Sequence, residues 1–138
     1  MGKRYVVVAC LAIALLCSGC ISLSRSDKEN LRVIKDAGLG VTDEQVKSVA
    51  TAGALNILPG FGNFYLAIGT DESEQWIVGF MNLLFWPVSV VWGIPEAAID
   101  ANTLNKRETA YYYTKTEKGR SELEAAIAKQ KAMPPIRP

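Results

Sequence analysis

Two long stretches without a charged residue constrain the fold of this chain more than any other feature. They cover residues 48–69 and 75–95, and each approaches the ~20 apolar residues that a helix needs to cross a bilayer core. Both stretches are interrupted by a proline, Pro59 in the first and Pro87 in the second. Because proline breaks or kinks a helix, the sequence predicts an apolar helical hairpin at about residues 43–100 and not two simple membrane spans.

The start of this hairpin has the strongest local helix signal in the chain. Thr42 and Gln45 have the spacing of a capping box, in which each side chain bonds to a backbone N–H at the start of a helix. Asp43 would then lie in the first turn, where a negative charge is favourable. The pattern predicts a helix that starts at Asp43 and runs to about Ile57.

Helices are also predicted on both sides of the hairpin. A short amphipathic helix is expected at residues 27–39, with Asp27 as its N-cap and glycines at its end. A second one is expected at about 117–132, before two prolines. The predicted fold is therefore all-α, with a signal or anchor helix, a short amphipathic helix, the apolar hairpin and a C-terminal amphipathic helix. The helical domain would cover residues 27–110, and a connector with the C-terminal helix would cover 111–138.

The first twenty residues have the order of an export signal. Two basic residues, an apolar segment and two small residues precede Cys20. Residues 16–20, Leu-Cys-Ser-Gly-Cys, resemble the lipobox of bacterial lipoproteins, in which the cysteine is acylated and becomes the new N-terminus. The resemblance implies a signal peptide at residues 1–19, attachment to membrane lipid through acyl chains such as palmitate on Cys20, and a lipidated tether at 20–26.

Cys17 is a poorer acceptor, because Leu15 and Leu16 precede it where the peptidase needs small residues. An uncleaved N-terminal membrane anchor is the alternative interpretation of this segment. Ile21 and Ser22 stand where inner-membrane retention signals of lipoproteins usually have Asp. The resemblance thus implies a lipid-anchored protein on the periplasmic face of the bacterial cell envelope, with the outer membrane favoured.

The hairpin contains a motif of glycines and aromatic residues, Pro-Gly-Phe-Gly-Asn-Phe-Tyr-Leu at residues 59–66. This motif resembles the core of the TM-two domain, a family of two short membrane helices, and Asp100 matches the Asp that usually closes the second helix. The resemblance covers about residues 50–105. It departs from the family at Asn63, where a His-Arg pair is common. The family implies a helical hairpin and supplies no biochemical activity.

Six aromatic residues of the hairpin form the candidate contact surface. Three follow glycines, two bracket the second charge-free stretch as interfacial aromatics often do, and one lies at the expected kink. They are Phe61, Phe64, Tyr65, Trp76, Trp92 and Trp86. The tryptophans fit the core of a small helical domain equally well. Three placements of the hairpin are therefore open: packed within the protein, embedded shallowly in one leaflet, or buried in an oligomer.

The sequence offers little for catalysis. The chain has no His, and lipidation would leave no free Cys, so the usual nucleophilic triads are excluded and no metal or other cofactor is expected. Glu96 and Asp100 stand four apart on one helix face and could share a cation or pair with Lys106 or Arg107, but a solvated helix end is the expected interpretation. Residues 111–113, three tyrosines, could bind a partner, although a connector packed against the hairpin is favoured.

The charge balance, 15 basic against 14 acidic residues, gives no electrostatic basis for binding nucleic acid. We therefore expect a non-enzymatic, lipid-anchored envelope protein that contacts the membrane, a partner protein or copies of itself through the hairpin. The alternative is a membrane-active protein that perturbs or perforates a bilayer, of the kind found among phage-encoded and toxin-like small proteins.

Overall fold

The computed structural model describes residues 21–40 and 46–132, and these residues form six α-helices and no strand. The all-α prediction is confirmed. Cys20, the signal peptide and the capping box at residues 42–45 lie outside the described residues. The helices are α1 Arg25–Asp36, α2 Val49–Leu55, α3 Phe61–Ala67, α4 Glu74–Leu84, α5 Val90–Lys115 and α6 Glu117–Ala132.

The described chain divides into two compact units. Unit 1 comprises residues 21–22 and 47–102, and unit 2 comprises residues 23–40, 46 and 103–132. Helices α2, α3 and α4 belong to unit 1, whereas α1 and α6 belong to unit 2. Helix α5 contributes its first half to unit 1 and its second half to unit 2.

Each charge-free stretch of unit 1 forms two helical segments instead of one. The first stretch is divided into α2 and α3 by residues 56–60, and the second into α4 and the start of α5 by residues 85–89. The latter turn contains the cis Trp86–Pro87 peptide bond. Helix α3 packs against both α2 and α4. The two apolar stretches therefore contact each other through short helices, and the breaks contain the two prolines, Pro59 and Pro87.

The predicted helix start at Asp43 is wrong within the part of the chain that the structure describes, because residues 46–48 are not helical. Helix α2 begins at Val49 with Ser48 as its N-cap, and the Ser48 side chain accepts the Thr51 N–H. The Ser48 N–H itself donates to the Tyr65 hydroxyl at 3.0 Å. The Lys47 ammonium donates to two carbonyls near the end of α3. These tertiary bonds hold residues 47 and 48 outside the helix.

Glycine allows the helices of unit 1 to approach very closely. Gly60 has a φ of 87°, and a Cβ there would overlap the carbonyl of Gly79. A Cβ on Gly62 would overlap the carbonyl of Ala52. Both positions therefore need a residue without a side chain. The apolar core that results is small and consists of Ala52, Leu66, Ala97 and Ala101.

Unit 2 contains the two amphipathic helices. Helix α6 has the bounds that the sequence predicts. Helix α1 starts earlier than predicted, because Ser24 and not Asp27 is the N-cap, and Asp27 is the acidic partner of Ser24 in a capping box. The predicted lipidated tether at 20–26 therefore includes the first residues of α1. Unit 2 buries apolar side chains that include Ile34, Leu104, Ala110 and Tyr113.

Residues 111–113 lie within α5 and do not form a separate connector. The Tyr112 hydroxyl lies 3.3 Å from both carboxylate oxygens of Glu122 in α6. Tyr113 is buried, whereas Tyr111 is exposed. Across residues 21–40 and 46–132, no helix combines the length and the apolarity needed to cross a membrane.

Candidate functional site

Five of the polar side chains buried in unit 1 are hydrogen-bonded to one another. Asn56, Asn63, Asn82 and Asp100 have no exposed surface, and Gln75 is 1% exposed. They come from four helices: the C-terminus of α2, the middle of α3, both ends of α4 and the first half of α5. A buried amide or carboxylate is tolerated only when its hydrogen-bonding groups are paired. We call these five residues the polar row.

The polar row is a chain of hydrogen bonds that runs in one direction. The Asn82 side-chain amide donates to Asn63 Oδ1 at 3.0 Å. The Asn63 amide then donates to Gln75 Oε1 at 2.8 Å, and the Gln75 amide donates to Asp100 Oδ2 at 2.9 Å. Each amide accepts at its oxygen and donates from its nitrogen. The row therefore ends at Asp100, whose ionised carboxylate can only accept.

The start of the polar row is attached to neighbouring backbone and to one tryptophan. Asn56 donates to Asn63 Oδ1 at 3.3 Å and to the Gly93 carbonyl, while its oxygen accepts the Gly62 N–H at 3.0 Å. Trp92 Nε1 donates to Asn82 Oδ1 at 3.1 Å. The row thus ties together the helices whose glycines bring them close.

The carboxylate of Asp100 also binds the start of the described chain. Its Oδ1 accepts the backbone N–H of Ile21 at 3.0 Å, across a separation of 79 residues. Burial raises the pKa of Asp100 to about 6. The bonds from Gln75 and Ile21 lower this pKa, and the nearby negative charge of Glu72 raises it.

Glu96 is the second acidic residue in this region. Burial raises its pKa to about 6, the charge of Asp100 contributes in the same direction, and a hydrogen bond from Asn82 opposes the shift. Among the described residues, Glu96 Oε1 is a buried side-chain oxygen without a hydrogen-bond partner. The expectation of a solvated helix end is wrong for Asp100, which has no exposed surface, while Glu96 is half-buried.

The outside of unit 1 is apolar. Many large apolar side chains of residues 47–102 are more than half exposed. They include Ile57, Ile77, Leu84, Trp86, Val88 and Val91, with exposures of 62% to 81%. Beside its small apolar core, unit 1 therefore buries hydrogen-bonded polar groups and exposes most of its large apolar side chains, which differs from the arrangement usual for a protein in water.

The structure brings together only some of the six candidate contact residues. Phe64 lies between Phe61, Trp76 and Phe80, with ring centroids 5.2 to 5.9 Å apart. Phe61, Trp76 and Phe80 are each more than 40% exposed. These four rings form one aromatic patch on the α3 and α4 surface.

The other three candidate contact residues have different surroundings. Trp86 is 63% exposed in the turn after α4. Tyr65 is half-buried, with the Lys47 ammonium 4.6 Å from its ring centroid. Trp92 is half-buried and bonded to the polar row. Trp92 and Tyr65 therefore stabilise unit 1, while Trp86 remains available for contact.

The site has no arrangement that resembles a catalytic centre. An amide chain that ends in a carboxylate can hold a charge or a proton, but it contains no nucleophile next to a base. Within the described ranges, no group of three or more acidic, His or Cys side chains is placed to hold a metal ion.

Comparison with protein-family models, with curated proteins and with solved structures finds no match for this chain. The resemblances to the lipobox and to the TM-two domain therefore remain predictions from the sequence.

Proposed function

We propose that this protein is a lipid-anchored component of the bacterial cell envelope that binds a bilayer through the apolar surface of unit 1. The observation that carries the proposal is the distribution of polar and apolar side chains in unit 1, with a fully buried polar row beneath exposed aliphatic and aromatic side chains. The proposal assigns no catalytic step and no cofactor to the protein.

A bilayer accounts for both halves of this arrangement. Exposed apolar side chains cost free energy in water, and a large contiguous apolar surface marks an interaction site. In a hydrocarbon environment the same side chains are favourably placed. Polar side chains must then face inward and satisfy one another. The hydrogen bonds of Asn63, Gln75 and Asp100 meet that requirement.

The dimensions of unit 1 suit one leaflet. Helices α2, α3 and α4 contain 7, 7 and 11 residues, which corresponds to lengths of ~10 to ~17 Å. One half of a ~30 Å hydrocarbon core is ~15 Å deep. Embedding in one leaflet is the placement that we favour among those left open by the sequence.

The charges of unit 1 indicate that apolar burial, and not attraction to anionic lipid, drives this binding. Residues 47–102 contain one basic residue, Lys47, and five acidic residues. The basic residue is already bonded to backbone carbonyls. We therefore expect binding to neutral phosphatidylcholine vesicles that changes little with salt, because salt screens charge interactions and not apolar burial.

A flotation experiment with Ile77 and Tyr111 variants tests the proposal. Both side chains are well exposed, at 67% and 59%, so aspartate at either position should leave the fold intact. The Ile77→Asp variant should bind neutral vesicles much more weakly than the wild type, because its charge would enter the leaflet. Tyr111→Asp, in unit 2, should bind like the wild type.

Two results would contradict the proposal. One is equal flotation of the wild type and Ile77→Asp, and the other is an equal loss in both variants. Release of a dye trapped in the vesicles, at protein levels that merely saturate binding, would favour the bilayer-perturbing alternative.

The anchor has its own test by metabolic acyl labelling. Label should appear on the wild type and on Cys17→Ala and be absent from Cys20→Ala, since small residues precede only Cys20. Label that persists in Cys20→Ala and disappears in Cys17→Ala would overturn the assignment of the acylated residue.

A further inference from the structure

We propose that the buried carboxylate of Asp100 is a docking site for the first residues of the mature chain. Through this site Ile21, the residue that follows Cys20, is held on unit 1 and is not part of a flexible tether. The meaning of this contact for membrane attachment rests on the proposed function, but the contact itself does not.

The contact is a charge-assisted hydrogen bond in a buried place. The Ile21 N–H donates to Asp100 Oδ1 at 3.0 Å, and Asp100 has no exposed surface. Ile21 is 8% exposed, so its side chain is buried as well. Hydrogen bonds to an ionised acceptor are about twice as strong as neutral ones. Residues at a chain end are poorly ordered unless something fixes them, and here the Asp100 carboxylate does so.

The polar row prepares Asp100 for this role. Gln75 occupies Oδ2 and is itself held by Asn63, so the carboxylate is fixed in orientation with Oδ1 directed to the Ile21 N–H. A backbone N–H is the donor that any residue except proline supplies, so docking depends little on the side chain that follows Cys20.

The segment after Ile21 leaves little room for a tether. Ser22 and Leu23 alone lie between Ile21 and Ser24, which caps α1. The sequence predicts a lipidated tether at 20–26, whereas in the structure Ile21 is bonded to Asp100 and a helix begins at Arg25.

Docking would make the acyl anchor and the apolar surface act as one membrane-binding element. Two elements on one rigid body engage a leaflet together, and the second contact then benefits from a high effective concentration. A flexible tether would lose conformational freedom when both contacts form. The acyl chains would thus enter the leaflet that receives Ile77 and Leu84.

A spin label at Ser22→Cys tests the docking directly. Ser22 is exposed, so a label there need not disturb the fold. The background is the mature chain from residue 20, with Cys20 either acylated in micelles or replaced by serine in solution, so that the label has the sole thiol. The spectrum should show slow motion in both forms. Removal of the donor by Ile21→Pro should convert it to the fast motion of a free chain end.

Ile21→Ala is the matched control, because alanine removes most of the side chain and keeps the N–H. It should retain slow motion, and Asp100→Ala should behave like Ile21→Pro. Circular dichroism on every variant shows whether unit 1 has stayed folded. If Asp100→Ala unfolds the protein, the Ile21 pair still decides the question.

Equal mobility in the wild type and Ile21→Pro, with unchanged helicity, would overturn the docking proposal. So would fast motion in Ile21→Ala, since the side chain and not the carboxylate would then fix the segment. If the spin-label spectra support docking, the acylated Ile21→Pro protein should be retained on neutral vesicles about tenfold less well than the acylated wild type. Slow motion at Ser22 together with no vesicle binding would instead refute the proposed function and leave the docking site standing.

Discussion

Unit 1 and unit 2 are both helical but differ in the large side chains that they bury and expose. Unit 1 buries amides and a carboxylate and exposes large apolar side chains, whereas unit 2 buries apolar side chains such as Ile34 and Leu104. The charges differ in number as well. Residues 23–46 and 103–138 contain 12 basic and 9 acidic residues, against one and five in residues 47–102.

The two units also differ in how far their buried hydrogen bonds reach. In unit 2 the buried Thr109 hydroxyl donates to the carbonyl of Asn105, four residues earlier in the same helix. In unit 1 the buried side chains bond across helices, as Gln75 does to Asp100 over 25 residues. The Thr109 hydroxyl thus bonds within one helix, whereas the side chains of the polar row hold separate helices of unit 1 together.

The largest effect that this comparison predicts comes from removing the centre of the polar row. Asn63→Leu removes one hydrogen bond from each of Asn56, Asn82 and Gln75. Removing one partner of a buried hydrogen bond costs about 1–3 kcal/mol, so we expect the free energy of unfolding to fall by ~3 kcal/mol or more. Urea denaturation followed by circular dichroism measures it.

The control for this variant is Asn102→Leu, because Asn102 is exposed, and it should have little effect on stability. Similar stability of the two variants would show that the polar row does not hold unit 1 together.

A smaller effect is expected from Gly79→Ala. The added methyl group would overlap the Phe64 ring and crowd the Gly60 carbonyl, and overpacking costs about 1–3 kcal/mol. Gly40→Ala in unit 2 meets no atom within 4 Å and should be neutral. Thermal unfolding of the pair measures the difference. A more stable Gly79→Ala protein would mean that helix propensity outweighs the close approach of α3 and α4.

The buried carboxyl groups of unit 1 predict that stability depends on pH. Burial raises the pKa of both Glu96 and Asp100 to about 6, above the values of about 4 in an unfolded chain. The folded state therefore binds protons more tightly, and these two groups make stability fall as pH rises from about 4 to about 6. The melting temperature should be higher at pH 5 than at pH 7.

Glu96→Gln should flatten this pH dependence, because glutamine does not titrate. The corresponding control is Glu124→Gln, at an exposed position in unit 2, which should leave the profile unchanged. A profile that Glu96→Gln does not alter would exclude Glu96 as one of the groups responsible.

The smallest effect should come from the surface of unit 2. Arg32 and Asp36 form an ion pair at 3.9 Å, and their side chains are 83% and 71% exposed. Exposed pairs of this kind contribute at most a few tenths of a kcal/mol. Asp36→Asn should therefore change the free energy of unfolding by less than about 0.5 kcal/mol. A loss as large as that of Asn63→Leu would remove the energetic contrast between the two units.

The sequence predicts the parts of this fold that depend on local chemistry. The all-α class and the bounds of α6 follow from helix signals. The close packing at Gly60 and Gly62 is possible because glycine has no side chain. The start of α2 was mispredicted because tertiary bonds of Lys47 and Ser48 outweigh local helix propensity. Such bonds have no local signature in the sequence.

The polar row was missed for a related reason. Asparagines in a charge-free stretch indicate an interrupted helix, and Glu96 with Asp100 at a spacing of four indicates a solvated helix face. One signal was present in the sequence. Amides and acids recur at helical spacing among residues that are otherwise apolar. The spacing of seven between Asn56 and Asn63 and of four between Glu96 and Asp100 fits this pattern. Which oxygen meets which nitrogen depends on the tertiary structure alone.

The one-way order of the polar row has a consequence for which sequences can form it. An amide group can be rotated so that its oxygen and nitrogen exchange places, and a row made only of amides would have two equivalent arrangements. Asp100 abolishes that choice, because an acceptor at one end dictates the orientation of Gln75, then of Asn63, then of Asn82. Replacing Asp100 with asparagine would therefore do more than remove a charge. It would leave the order of the row fixed at one end only, by the Trp92 N–H, which can only donate to Asn82.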